Sequence, residues 1–450
     1  MKIIIIGAGE LGHLVAAKLC AASSHDVIII DSSHTPMRQD WNSLDTLLLT
    51  GEGTDVETLK RAGAQSADLL MALSGNEAAN ALACMLAKRL GTKRTICRVY
   101  SRQMFSEADG LPPAHFGIDE VISPVDESVE LIGGILENRI LQEKIPFRNP
   151  DASLYLVNVP LNSALSGVQL MDLPCTELLA AIRLAAIIRN RELLVPHGNT
   201  VLMPGDKIYV AGKAEHVDAF VNWLAQEASV PLKRVVIAGV SPISEKLVSH
   251  LAGRGLDVRV IESDADKGEQ LLTAVPEKVL LIQGECTNSD ILQEADVADC
   301  DAFAALSDGD ENNILACLLA SRLKAKKVIA LTSKAEYMDI LPSIEQTGCW
   351  FNITQIAANT ALRLVAGGTL RVDPVLHAIN ARLADLTLTR RSKYAGKAIR
   401  DCKFPPNFVI AMILRGEEVI TPTGVTVLQE DDKLVSIAPA QDIAVMRRNM

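Results

Sequence analysis

The residues best placed to do chemistry lie near the start of the chain. Gly7-Ala8-Gly9-Glu10-Leu11-Gly12 is a G-x-G-x-x-G that directly follows the β-branched run Ile3–Ile6 and opens a helical pattern, Leu11–Ala22. In that context each glycine has a purpose. Gly7 permits a tight turn, Gly9 lets a pyrophosphate approach the main chain, and Gly12 lets the helix pack closely on the strand. The amides at the helix start and the helix dipole then favour an anion. Asp31 ends the second apolar run, 19 residues beyond Gly12. A carboxylate there accepts hydrogen bonds from ribose hydroxyls and repels a 2′-phosphate. The set predicts a site for NAD(H) or an adenosine phosphate in preference to NADP(H).

Three further positions fall where such a pocket would be completed. Leu73-Ser74 closes the fourth apolar run, at the carboxyl edge where open parallel sheets bind ligands; an ordinary turn serine is the other reading. Arg98 sits inside the apolar run Thr95–Val99, where a charge needs a partner, either a phosphate or a carboxylate from another subunit. Glu52, after Gly51, is placed either to touch an adenine edge or to be a solvated loop residue.

The elements that must hold these residues read as a parallel α/β unit. The runs Ile3–Ile6, Val27–Ile30, Leu47–Thr50, Leu69–Leu73, Thr95–Val99 and Val121–Ile122 alternate with helical patterns at Leu11–Ala22, Val56–Ala62 and Asn76–Leu90. Apolar strands alternating with helices imply a sheet covered on both faces and joined by right-handed crossovers. Val125, Val129, Ile132, Leu136 and Ile140 then recur at steps of three and four, one apolar helix face. From about Leu154 the texture changes to short alternating strands, Leu154–Val159, Ala185–Ile188 and Lys207–Val210, which is the pattern of a small α+β module. A linker around Glu227–Pro231 closes it.

The pattern then restarts. Lys233–Gly239 echoes Lys2–Gly7, Asp257–Glu262 echoes Asp26–Asp31, and Gly51–Thr54, Leu73-Ser74 and Asn80–Cys84 each return 233 residues later. Ile187-Ile-Arg189 through Gly198 returns as Ile413-Leu-Arg415 through Gly424. The fold class that follows is α/β: a Rossmann-like, doubly wound parallel sheet, duplicated, each copy followed by a small α+β module. The expected divisions are 1–123, a helix over 124–145, 146–228, 231–352, a helix over 353–369, and 370–450. The second glycine loop is eroded. Gly239-Val-Ser-Pro-Ile-Ser244 keeps its first glycine, Pro242 removes a donor, and Leu331 stands in place of Arg98. Glu262 retains the acid of Asp31. The second fold is expected to persist with its pocket weakened or lost.

Composition narrows the function. Apolar residues make up 48% and charged residues 22%, so the chain is a folded globular protein. A net charge of −11 and 4% aromatics argue against a nucleic-acid partner. The nine cysteines are odd in number, widely spaced and without a C-x-x-C pair, which fits reduced thiols rather than disulfides or zinc. No segment reads as a signal peptide or a spanning helix, and no metal site is expected. A dehydrogenase would need an acid or base beside the nicotinamide. His13, His115 and His197 are expected to be surface residues, and no catalytic residue is assigned.

The motifs Gly7–Gly12, Asp31, Gly51-Glu52, Asn76-Glu77-x-x-Asn80 and Cys97-Arg98-Val99 resemble those of the KTN/RCK nucleotide-binding domains. Their tandem arrangement with interleaved small modules, over essentially the whole chain, resembles the TrkA family, the regulatory subunits of Trk-type potassium uptake systems. In that family the large module is RCK-N and the small one RCK-C. The resemblance implies a non-enzymatic gating subunit with NAD(H), and ATP or ADP competing at the same site. It also implies a homotetrameric ring, peripheral on the cytoplasmic face of the membrane through a TrkH- or TrkG-like potassium transporter. Carried over, the nucleotide contacts fall on Gly7 to Leu11, Asp31, Leu73, Ser74 and Arg98, with a second set on Gly239 to Ile243 and Glu262. The helix carrying Val125, Val129, Ile132 and Leu136 matches the family's crossover helix, although packing on its own sheet would explain the same face. An NAD-dependent oxidoreductase, or a nucleotide sensor for another channel or transporter, is the alternative.

Overall fold

The computed structural model describes residues 1–21, 25–32, 41, 44–105, 110–137, 140–147, 149, 151–160, 163–173, 176–189, 192–227, 232–275, 278–334, 336–337, 348–365, 375–376, 381–390 and 392–450. Cys175, residues 228–231 of the expected linker and residues 366–369 of the second expected helix lie outside these. Two compact units emerge, and they are not the two repeats. One joins residues 1–130 with 234–367, and the other joins 131–233 with 368–450.

The first unit holds both large modules. In the first repeat, β1 (Lys2–Ile6), β2 (Asp26–Asp31), β3 (Leu47–Thr50), β4 (Leu69–Ala72), β5 (Arg94–Arg98) and β6 (Glu120–Ile122) form one parallel sheet in the order β3-β2-β1-β4-β5-β6. The strand order reverses between β1 and β4, so a crevice opens at their carboxyl ends. The continuous apolar run of β1 is explained by burial on both faces: Ile3, Ile4 and Ile5 are all 0% exposed. Helices α1 (Glu10–Ala21), α2 (Val56–Arg61) and α3 (Glu77–Leu90) connect the strands, and α4 (Pro124–Glu137) follows the sheet. Asp55 and Asn76 cap α2 and α3 by accepting from the amides of Thr58 and Ala79.

The second repeat builds the same sheet from β12 (Arg234–Ala238), β13 (Asp257–Glu262), β14 (Leu280–Gln283), β15 (Ala302–Ala305), β16 (Val328–Thr332) and β17 (Cys349–Asn352), ordered β14-β13-β12-β15-β16-β17. Its helices are α7 (Pro242–Gly253), α8 (Ala265–Ala274), α9 (Ser289–Glu294), α10 (Asp310–Arg322) and α11 (Ile353–Val365). The two large modules exchange contacts reciprocally. Helix α1 packs on α11, where Lys18 Nζ donates to Asn359 Oδ1 at 3.5 Å, and Arg94 Nη2 donates to the Leu364 carbonyl at 2.7 Å. In the other direction Lys246 of α7 pairs with Asp126 of α4 and donates to Ser101 Oγ at 2.7 Å.

The second unit holds both small modules. The first has β7 (Leu141–Pro146), β8 (Ala152–Asn158), β9 (Ile182–Arg189), β10 (Glu192–Leu194) and β11 (Lys207–Lys213) in the order β10-β9-β11-β8-β7, with α5 (Thr176–Ala181) and α6 (Ala214–Glu227). The second repeats that order with β18 (Val375–Leu376), β19 (Ala381–Thr387), β20 (Val409–Arg415), β21 (Glu418–Ile420) and β22 (Lys433–Ala438). One apolar core is common to both: Leu154, Leu156, Ala186 and Tyr209 pack in the same cluster as Leu383, Val409, Met412 and Ile437. Each module also pins a turn with a bidentate ion pair. Arg189 donates to both oxygens of Asp206 at 2.8 and 2.7 Å, and Arg415 to both of Asp432 at 2.8 and 2.9 Å.

Two expectations need correction. The helix expected over 124–145 ends at Glu137, and residues 141–146 are the edge strand β7, paired antiparallel with β8. Ile140, expected as the last residue of the apolar helix face, lies beyond the helix end, and Ile145 of β7 helps fill the small-module core. His13 is not a surface residue. It is 9% exposed and meets the Trp41 ring edge-on at 4.7 Å. His115 and His197 are exposed.

Candidate nucleotide-binding site

At the carboxyl edge of the first sheet the chain leaves β1 through Gly7, turns, and enters α1. Gly7 has φ +103°, and a Cβ there would stand 3.0 Å from the main chain of Ser74, so only glycine fits. A Cβ at Gly12 would come within 2.0 Å of the Gly7 carbonyl oxygen, which is the close helix-to-strand approach expected of that position. Gly9 is different: a Cβ there would meet nothing within 4 Å, because the loop faces open space.

That space is a cavity of about 300 Å³, lined by Gly7, Ala8, Gly9, Glu10, Leu11, Asp31, Leu73, Ser74, Gly75 and Arg98. The structure thus brings together nine of the eleven first-repeat positions singled out in the sequence, from the carboxyl ends of four strands, β1, β2, β4 and β5. Gly12 lies beneath the wall and is not part of the lining. Exposed Glu52 is also outside it.

Hydrogen bonds hold the walls. The Ala8 amide donates to Asp31 Oδ2 at 2.6 Å, tying the glycine loop to the end of β2, and the Gly7 amide donates to the Ile30 carbonyl at 2.8 Å. The amides of Gly9, Glu10, Leu11 and Gly12 meet no acceptor among the described residues, as expected of the first turn of a helix. Three of these residues, Gly9, Glu10 and Leu11, line the cavity. Arg98, at the end of β5, is half-buried, and its Nη1 donates to the Leu73 carbonyl at 3.3 Å. No carboxylate pairs with it among the described residues. Burial pushes its guanidinium below the usual arginine value, yet it stays charged at any physiological pH. An unpaired cation, unsatisfied amides and open space at Gly9 fit a phosphate group, and the carboxylate of Asp31 lines the same cavity from the neighbouring strand.

Two contributors were not assigned from the sequence. Gly75 joins the lining. Asn80, 1% exposed, uses its whole hydrogen-bonding capacity on the walls: its Oδ1 accepts from the Ser74 amide and hydroxyl at 3.1 and 2.6 Å, and its Nδ2 donates to the Ser74 and Arg98 carbonyls, both at 2.9 Å. It fixes the spacing between the ends of β4 and β5. The Asn76-x-x-x-Asn80 spacing carried the signal, since the first asparagine is the helix cap and the second lies one turn further.

The second repeat keeps this frame. Gly239 has φ +90°, the Val240 amide donates to Glu262 Oε2 at 2.6 Å, and Asn313 bonds Ser307 and the Leu331 carbonyl as Asn80 bonds Ser74 and Arg98. Leu331, 6% exposed, supplies no charge.

Comparison with known proteins agrees with this duplicated architecture. The TrkA-N domain model matches residues 3–124 and 235–347, and the TrkA-C domain model matches 154–225 and 383–450. The chain is 29% identical over 450 residues to the Trk system potassium uptake protein TrkA homolog 1 of Methanosarcina mazei, covering 98% of each. It is 27% identical to the Trk system potassium uptake protein TrkA of Vibrio alginolyticus, covering 97% of this chain and 95% of that one. Among solved structures, a GsuK channel bound to NAD superposes with a TM-score of 0.60 at 16% identity, over 100% of this chain and 78% of that chain, a likeness of fold. With TrkA-N and TrkA-C modules each matched twice along its length, the chain belongs to the TrkA family.

Proposed function

We propose that this chain is a nucleotide-responsive regulatory subunit of a potassium uptake system, binding NAD(H), or ATP and ADP in competition, at the first-repeat cavity. The observation that carries the reading is the wall itself: unsatisfied helix-start amides, the unpaired Arg98 and the carboxylate of Asp31 around one cavity. The amides of Glu10 and Leu11 and the Arg98 guanidinium would hold phosphate oxygens, and Asp31 would take ribose hydroxyls and disfavour a 2′-phosphate. The naming of its relatives as Trk system potassium uptake proteins supports the potassium role, and the NAD-bound GsuK channel supports this type of ligand.

In this reading the chain assembles as a homotetrameric ring against the cytoplasmic side of a TrkH- or TrkG-like transporter. Binding energy biases a conformational equilibrium instead of lowering a chemical barrier. A ligand can shift that equilibrium only by its difference in affinity for the two states, about 1.4 kcal/mol for each tenfold ratio. The chain therefore acts without turnover. When bound, a nicotinamide nucleotide would supply hydride chemistry, but here it serves as a signal.

Calorimetry with NADH and NADPH tests the binding: NADH should bind at least tenfold more tightly, and equal affinities would sink the assignment. Co-purification with a potassium transporter, and transport measured with and without this chain, tests the gating. Binding without any potassium phenotype would favour a different channel or transporter as partner. Steady oxidation of NADH with a metabolite panel would replace the regulatory reading with a catalytic one.

A further inference from the structure

The two repeats agree around the pocket and differ inside it. Glu262 holds the Val240 amide at the same 2.6 Å at which Asp31 holds that of Ala8, and the asparagine clamps match within 0.1 Å. The difference is confined to the loop and the charge beneath it. Where the first repeat has Gly9-Glu10-Leu11-Gly12, the second has Ser241-Pro242-Ile243-Ser244.

Those residues close the helix start on themselves. The Ser244 amide donates to Ser241 Oγ at 3.3 Å, and the Ser241 amide donates to Ser244 Oγ at 2.6 Å, a reciprocal capping box on α7. Ser244 Oγ also donates to the Ser241 carbonyl at 2.9 Å. Pro242 has no amide to offer. Of the four positions whose amides are unsatisfied in the first repeat, two are thus capped and one has lost its donor. Ser241 and Ser244 are 7% and 0% exposed, and Leu331 replaces the cation. A phosphate entering here would have to break the serine pair and be desolvated with no positive charge to offset it.

We propose that the second repeat carries a built-in substitute for the ligand. The Ser241–Ser244 pair does for α7 what an anion does for α1, so each chain binds one nucleotide, in the first repeat, while the second large module stays in one ligand-independent state. The stoichiometry rests on the nucleotide reading of the first cavity; the self-capping does not.

The test uses the full chain in two arms. Calorimetry with NADH and with ADP should give one site per chain. Glu262→Gln, which keeps an oxygen for the Val240 amide, should change neither stoichiometry nor affinity, while Asp31→Ala should cost at least tenfold. Two sites per chain, or a loss of affinity in Glu262→Gln, would overturn the proposal. The second arm needs no nucleotide. Ser241→Ala with Ser244→Ala should lower the melting temperature by about 2–4 °C, although alanine is the better helix former, because the cap is lost. An unchanged melting temperature would overturn it. Absence of any binding by the unaltered chain would instead defeat the nucleotide reading of the first cavity, and the melting arm would still decide whether the second is self-capped.

Discussion

Arg98 and Leu331 occupy one position in two copies of the same strand, and this makes Arg98 a clean place to perturb. Leucine is already tolerated there, so Arg98→Leu should fold as stably as the unaltered chain. Loss of a charge-assisted phosphate contact, worth about 1.5–3 kcal/mol, should weaken ADP and NADH binding by roughly tenfold to a hundredfold. Calorimetry beside a thermal melt separates the two effects; a stability loss as large as the binding loss would mean that Arg98 is structural. At this scale the sequence was most informative where backbone geometry demands glycine or a carboxylate ends a strand. Asp31 and the loop Gly7–Leu11 were legible for that reason. Asn80 was seen only as part of a motif, because a buried asparagine and a surface one look alike until their partners are known. His13 was misjudged for the same reason, since its burial depends on Trp41, 28 residues away.

Among the elements, the repeated Arg–Asp pair of the small modules is the strongest local fastener. Asp206 and Asp432 are 2% and 0% exposed, and each also accepts a turn amide, from Met203 and Gln429. Asp206→Asn should lower stability by about 2 kcal/mol in denaturant unfolding, since it removes charge-assisted bonds and leaves an arginine unpaired. The α1–α11 contact gives a pH signature. Burial pulls the Lys18 ammonium down from 10.5 to about 8. Between those two values Lys18 binds more proton in the unfolded chain than in the folded one, so its own contribution to stability should rise with pH across that window, against the opposite trend of the buried cysteines. Lys18→Met should remove this contribution, so the stability of the unaltered chain minus that of the variant should grow with pH from about 8 to 10.5; a difference independent of pH would show that Lys18 does not titrate there. Strand β7 is one element that the sequence pattern hides. Its polar residues Gln142, Glu143 and Lys144 do not alternate as a half-buried strand does, and Ile140 happened to extend the helical period of α4.

For the whole molecule, internal repetition revealed the four modules, but their association could not be read from it. Periodicity describes each element's own faces, whereas which module covers which is decided by surfaces far apart in sequence. The structure pairs large with large and small with small; each large module closes a core of its own, but the small-module core is completed only by residues of both repeats. Residues 1–230 expressed alone should therefore not be a stable monomer. The exposed Leu154, Leu156, Ala186 and Tyr209 would be covered by a second copy, and light scattering should report a dimer. A well-folded monomer with a cooperative melt would contradict this.

The pairing of modules across repeats also bears on how the two loops came to differ. In a dimer of identical chains, every substitution is inherited by both halves at once. A serine-capped loop would then appear twice or not at all. Because the two halves here are one polypeptide, Gly9 and Ser241 are separate positions, open to separate histories. Joining the halves allows a lasting asymmetry, one side answering to a ligand and the other serving as its fixed counterpart.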